Sequence, residues 1–209
     1  DFSQAAFFLA AGALAGVRCT TLETSDEKSP AATGRVLIGG LRPNSAQGDR
    51  AVCGILKAMG ACVEWDAQGN LWCDACHLHG CVIDASQCPD IIPVLAAVAC
   101  ACEGETHIVN AGRLRIKECD RLAAVACELS ALGAQIEEGR DFLRIAGRPV
   151  RGWPLRGGGA VWSHGDHRMA MTLAVAAAVC EAPFVLRDYP CVSKSYPGFF
   201  DDYRKLGGV

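Results

Sequence analysis

The segment Lys117-Glu118-Cys119-Asp120-Arg121 places two cations and two carboxylates within one short stretch. It lies between the strand-like Ile108-Val109 and a helical run that begins near Asp120. If that helix starts slightly early, Lys117 and Arg121 stand four residues apart and share a face. Cations at a helix N-terminus, reinforced by the helix dipole and by free backbone N–H groups, make an anion pocket with an acid beside it. The same residues also read as a solvated helix start capped by Asp120. A second charged group, Ser163-His164-Gly165-Asp166-His167-Arg168, stands directly before the apolar run Met169 to Val179. A helix that apolar is expected to be buried, so Arg168 at its start needs an anion or a carboxylate partner. An internal Arg–Asp pair meets the same need. Lys194 in Cys191-Val-Ser-Lys-Ser-Tyr-Pro197 is by type a surface residue. Asp90, after Pro89, opens another apolar run, where it serves either as a helix cap or as a site carboxylate.

One further cluster has metal-ligand residue types: Cys73, Cys76, His77, His79 and Cys81. Cys73 to His77 also matches the spacing of covalent haem attachment. A structural zinc site usually draws a second ligand pair from a separate segment, and this run lies between strand-like stretches. Strand and loop is therefore preferred over zinc or haem, and no metal or other cofactor is expected.

The elements that must hold these residues repeat. Asp1-Phe-Ser3-Gln4, Asp84-Ala-Ser86-Gln87 and Ser163-His-Gly-Asp166 each introduce an Ala-rich run, to Gly16, over Ile91 to Cys102, and over Met169 to Val179. Ser and Asp before an apolar run are helix-start signals, and helices apolar on nearly every side are expected in the interior. A second helix type alternates with them. Asp49-Arg50 and Asp120-Arg121 lead into stripes such as Leu122, Val125, Leu129 and Leu132, and Gly60 and Gly133 suit the position just past a helix end. Each is followed by a strand, a turn and a strand: Cys62 to Trp65 with Leu71 to Cys73, and Gln135-Ile136 with Phe142 to Ile145. The unit thus reads strand, buried helix, strand, amphipathic helix, hairpin, over approximately 1–80, 84–150 and 160–209, with the third copy ending at its second helix near Phe199 to Gly207. Such units must stack to bury their apolar helices. Thr24 to Thr33 reads as a polar surface loop, and the absence of a linker signal points to a single domain.

With 209 residues, 51% hydrophobic and 21% charged, the chain has the balance of a folded protein. A net charge of −3 argues against a general nucleic-acid or membrane-surface binder. No run reaches the ~20 apolar residues that span a bilayer. The 13 cysteines lie mostly in apolar stretches as small hydrophobes, which suits reduced thiols and a cytosolic location.

Together these segments resemble the 5-enolpyruvylshikimate-3-phosphate synthases. Lys117 to Leu122 is similar to that family's Lys-Glu-(Ser/Thr)-Asp-Arg-Leu, and Asp166 to Met171 to its Asp-His-Arg-Met-Ala-Met. Cys191 to Phe200 resembles Cys-x-x-Lys-(Ser/Thr)-(Phe/Tyr)-Pro-x-(Phe/Tyr)-(Phe/Tyr), and the opening Asp1 to Ala11 resembles the stretch after the family's interdomain crossover. The resemblance covers essentially the whole chain and implies an α+β prism of three βαβαββ units, with buried parallel helices and sheets outside. It implies the C-terminal half of an enzyme whose N-terminal domain is absent here. The implied reaction moves the enolpyruvyl group of phosphoenolpyruvate to the 5-hydroxyl of shikimate 3-phosphate.

On the matching positions Glu118 becomes the acid and Asp90 the base. Arg121, Arg168 and Lys194 hold phosphoenolpyruvate, Lys117 contacts the shikimate phosphate, and Asp166 and His167 complete the site. These side chains are expected on one face and substantially exposed. Arg113 departs from a frequent Asn, and Cys119 from Ser or Thr. The alternatives are a non-catalytic α/β binding module, or a related transferase acting on a UDP-sugar.

Overall fold

The computed structural model describes residues 1–19, 35–74, 76–147 and 154–208. The anticipated loop from Thr24 to Thr33 lies outside the described residues. The first unit contributes α1 (Phe2–Cys19), β1 (Val36–Ile38), α2 (Ala51–Ala58), β2 (Cys62–Trp65) and β3 (Leu71–Asp74). The second contributes β4 (Val82–Asp84), α3 (Ile92–Ala99), β5 (Glu105–Val109), α4 (Arg121–Ala131), β6 (Gln135–Glu138) and β7 (Leu143–Ala146). The third contributes β8 (Leu155–Gly157), β9 (Ala160–Trp162), α5 (His167–Ala176), β10 (Cys180–Ala182), β11 (Val185–Arg187) and α6 (Phe199–Lys205).

The three Ala-rich helices form the centre, as their all-round apolar character requires. Every residue of α3 is buried. In α5 all but Arg168 are buried, and α1 buries Phe2, Phe7, Leu9 and Leu14 completely. These helices pack on one another within one continuous apolar cluster that draws on all three units. Burying each large apolar side chain favours the folded state by roughly 1.5–3 kcal/mol. Small Ala side chains let the helix axes approach closely, so the centre is built from helices rather than from a sheet.

The sheets cover this core with one face each. In the second unit the strand order is β4-β5-β7-β6, with β4 parallel to β5 and the hairpin β6–β7 antiparallel. Thr106 and Ile108 on β5, and Leu143 and Ile145 on β7, turn inward while their neighbours face out, the period of a half-buried sheet. The first unit repeats the arrangement as β1-β3-β2. Both amphipathic helices end as expected. Gly60 and Gly133 follow the last helical residues with φ of 94° and 102°, a region open chiefly to glycine.

The third unit differs from its siblings. Its two strands are each interrupted, giving the parallel pairs β8–β10 and β9–β11. Gly157, Gly158 and Gly159 all take positive φ (68°, 80° and 68°), which breaks the first strand between β8 and β9.

Candidate functional site

The predicted residues come from the starts of helices and from the segments just before them. Asp90 precedes α3. Lys117, Glu118 and Cys119 link a 3-10 turn, Gly112–Ile116, to α4, whose first residue is Arg121. Asp166 caps α5 by accepting the Arg168 N–H at 2.8 Å, so Asp166, His167 and Arg168 are held by the helix start itself. Lys194 ends a 3-10 turn, Tyr189–Lys194.

Asp90 is the hub. Its carboxylate lies 3.1 Å from Lys117 Nζ, 2.8 Å from Arg121 Nη1 and 3.3 Å from Arg168 Nη2. Arg168 also donates to Ser3 Oγ at 3.3 Å, so the N-terminal ends of α1, α3 and α5 meet at this point. The cap role open to Asp90 in the sequence is not used: the residue before α3 is Ile91, without a side-chain cap. Lys117 is not on a shared helix face with Arg121 either. Its backbone is extended, ahead of the helix, and the two cations converge through Asp90 instead.

A second carboxylate holds Arg121 from the other side. Arg121 Nε donates to Asp166 at 2.7 Å and Nη2 at 3.2 Å, a bidentate pair. Glu118 lies near Asp166, with carboxylate oxygens of the two within 4.8 Å. It is 3.0 Å from His167 Nδ1 and 3.7 Å from Lys194 Nζ, and Lys194 also donates to the Gly165 carbonyl at 2.9 Å. The eight predicted residues thus fall into two bonded sets, Asp90 with Lys117, Arg121, Asp166 and Arg168, and Glu118 with His167 and Lys194, which adjoin where ligand-type atoms of Glu118, Asp166 and His167 lie within 4.8 Å of one another.

Their exposure departs from expectation. Arg121 and Asp166 are buried, at 2% and 0% side-chain exposure, and Arg168 retains 13%, whereas Lys117, Glu118 and Lys194 are more open. The cations are covered because each finds a carboxylate within the chain, which offsets the cost of burying charge. Burial alone pushes the Asp90 and Asp166 carboxyls up. Arg168, Lys117 and Arg121 around Asp90, and Arg121 beside Asp166, outweigh it and hold both below the usual 3.8. Burial holds the Arg168 guanidinium below its ordinary value despite Asp90, so a further anion here would be welcome to it.

Residues of the first unit complete the site without having been singled out. Asp49 is buried next to the network. Its carboxyl is pushed up by burial and by the charge of Asp90. Gln47 ties this corner together, accepting the Phe2 N–H at 2.8 Å and donating to Asp1 at 2.7 Å. The repeat held the signal, since Asp49-Arg50 is the counterpart of Asp120-Arg121. Its cation has turned away: Arg50 donates to the Pro43 carbonyl at 3.0 Å, and only the carboxylate remains near the centre.

The cysteine–histidine run does not assemble. Cys73 is buried in the core, His77 pairs with Glu103 at 2.8 Å, and His79 turns to the Gly80 carbonyl at 3.4 Å. Among the described residues, the one group of three metal-ligand types in reach of one another is Glu118, Asp166 and His167. There the Asp166 oxygens already accept from Arg121 and from the Arg168 N–H, so the group reads as part of the charge network. No helix among the described residues is long and apolar enough to cross a membrane.

Residues 29–203 match the family model of EPSP synthase (3-phosphoshikimate 1-carboxyvinyltransferase). The chain is 50% identical over 208 residues to a 3-phosphoshikimate 1-carboxyvinyltransferase of Clostridium botulinum (strain Eklund 17B), covering all of this chain and 43% of that protein. It is 49% identical to the one of Clostridioides difficile, covering 42% of it. The chain thus spans less than half the length of the curated relatives it matches. Among solved structures, EPSP synthase from Acinetobacter baumannii superposes with a TM-score of 0.77 at 26% identity, over 100% of this chain and 46% of that one. The enolpyruvyl transferase NikO from Streptomyces tendae gives 0.68 at 20% identity, over 100% of this chain and 43% of that one, a likeness of fold alone.

Proposed function

Because the chain belongs to the EPSP synthase family, we propose that it takes part in transferring the enolpyruvyl group of phosphoenolpyruvate to the 5-hydroxyl of shikimate 3-phosphate, with release of phosphate. The observation that carries this reading is a pair of carboxylates with cations about them: Asp90 beside Lys117, Arg121 and Arg168, and Glu118 beside Lys194. In the addition, a proton goes to the methylene carbon of phosphoenolpyruvate while the hydroxyl oxygen bonds to C2. In the elimination, a proton leaves the new methyl group, the double bond re-forms, and phosphate departs.

Glu118 supplies and retrieves the carbon-bound proton. It is partly open to solvent, and His167 and Lys194 hold its oxygens. Asp90 takes the hydroxyl proton. With three cations around it, Asp90 is by itself a poor base. When an anionic substrate takes over Arg168 and Lys117, their hold on Asp90 weakens and its proton affinity rises, so base strength is coupled to substrate binding. Arg168 and Lys194 are the cations best placed for the carboxylate and phosphate of phosphoenolpyruvate. Arg121 acts from behind, because its guanidinium is covered and engaged by Asp90 and Asp166. Lys117 faces the shikimate phosphate. The reading carries a cytosolic location with it.

The matched share of the relatives bears on activity. A two-substrate reaction draws up to roughly 7–11 kcal/mol from orienting its reactants, and open charged groups lose strength to water. The 209 residues by themselves carry one wall of such a site. The test of the acid is Glu118→Gln, assayed by phosphate release in the chain combined with the part of the Clostridium botulinum relative that it does not match. Turnover is expected to fall by about 10²-fold or more with phosphoenolpyruvate binding little changed. Lost binding with intact turnover would remove Glu118 from this role.

A further inference from the structure

Cys62 and Cys76 stand apart from the other described cysteines. Their sulfurs lie 2.9 Å apart. Cys62 opens β2, opposite Asp74 in the β2–β3 register, and Cys76 follows two residues beyond that partner. Cys76 is exposed and Cys62 half-buried, so small molecules in solution reach the pair. Cys127 is exposed as well, but several of the other thiols are less available. Cys73, Cys100, Cys102 and Cys180 are buried, and burial pushes their thiols up to about 12. The sequence spacing Cys73-x-x-Cys76 would pair Cys76 with Cys73, but strand alternation turns Cys73 into the core and leaves Cys62 as its neighbour.

We propose that Cys62 and Cys76 form a dithiol site that a low-molecular-weight disulfide oxidises reversibly to a Cys62–Cys76 disulfide. The sulfurs need close by only about 1 Å to reach the ~2.0 Å of a disulfide bond. The steps are two thiol–disulfide exchanges. Exposed Cys76, as thiolate, attacks one sulfur of the small disulfide, forming a mixed disulfide and releasing one small thiolate. Cys62, as thiolate, then attacks the Cys76 sulfur, closing the protein disulfide and releasing the second. The two protein thiol protons end on the two small thiols, so the chain loses two electrons and the small disulfide gains them. Contact with Cys76 is the leading cause that pushes the Cys62 thiol up, which suits Cys62 to the second, resolving step. The bond joins segments already held by the β2–β3 ladder, so closure restrains the unfolded chain more than it distorts the folded one. This inference does not depend on the enzymatic reading.

The experiment is incubation of the folded protein with oxidised glutathione, followed by peptide mapping without reductant. The expected result is one crosslinked peptide pair containing Cys62 and Cys76, a higher melting temperature, and reversal by dithiothreitol. Cys62→Ser should trap glutathione on Cys76, and Cys76→Ser should abolish the reaction at Cys62. A wild-type protein that keeps glutathione on Cys76 without closing, that links other cysteines instead, or that leaves both thiols free would overturn the proposal.

Discussion

At the scale of single residues, Asp90 is where the charges of the site are balanced. Three cations reach one carboxylate, so whatever happens to it is felt by all three. Asp90→Asn removes the charge and keeps the shape. Arg168 and Lys117 then lose an internal competitor for substrate oxyanions. We expect phosphoenolpyruvate to bind at least as tightly, by calorimetry, while turnover of the combined enzyme falls by about 10²-fold or more. Weaker binding with normal turnover would assign Asp90 to ligand binding instead. The same charges bear on stability. The carboxyls of Asp90 and Asp166 are held below the ordinary 3.8 in the folded protein. For a group lowered on folding, the stabilisation is present above the unfolded value and is lost as pH falls through the folded one. Unfolding monitored by circular dichroism should therefore show stability steady above about pH 5 and declining below about pH 4. In Asp166→Asn the buried Arg121 loses its bidentate partner, at a cost of about 3–5 kcal/mol at neutral pH, and the acid limb flattens.

At the scale of elements, the turn that precedes α5 must hold still for Asp166, His167 and Arg168 to face the site. Its tether comes from α4. Buried Glu128 accepts the Trp162 N–H at 2.9 Å and pairs with His164 Nε2 at 2.8 Å, while the Trp162 and His164 rings lie 4.3 Å apart. His164 takes φ of 56°, a conformation rare for a residue with a side chain, and this clamp keeps it there. Glu128→Ala leaves the Trp162 N–H without this partner and the turn strained, and should lower the urea midpoint by the equivalent of about 1–3 kcal/mol without changing the slope. Turnover should also fall, because the Gly165 carbonyl that receives Lys194 moves with the turn. An unchanged midpoint would mean that the sheet alone holds the turn. The helices and hairpins themselves were legible in the sequence, since apolar runs, Ser/Asp starts and Gly60 and Gly133 stops act locally. The interruption of the third unit's strands was less so. Gly157 to Gly159 can break a strand locally, but which strands pair across the break depends on neighbours remote in the chain.

At the scale of the whole molecule, the core closes within the 209 residues, because α1, α3 and α5 bury one another and the sheets cover them. The chain by itself should unfold cooperatively in urea yet show no phosphate release from phosphoenolpyruvate and shikimate 3-phosphate. Addition of the unmatched part of the Clostridium botulinum relative should restore measurable turnover. Substantial release by the chain alone would show that one wall of the site suffices. The sequence by itself determined the identity of the central helices and their alternation with amphipathic ones, because patterning is a local property, whereas Lys117, Glu118, Arg121, Arg168 and Lys194 stood out as a set only through the family resemblance. Only the tertiary structure decided which charge meets which. Asp90, a candidate helix cap in sequence, became the hub, Arg121, expected to be exposed, is buried against Asp90 and Asp166, and Asp49 joined through the first unit. The physical reason is that burial makes an unpaired charge costly, so the final pairing is set by which groups three converging helix ends bring within reach, over separations along the chain that no local pattern records.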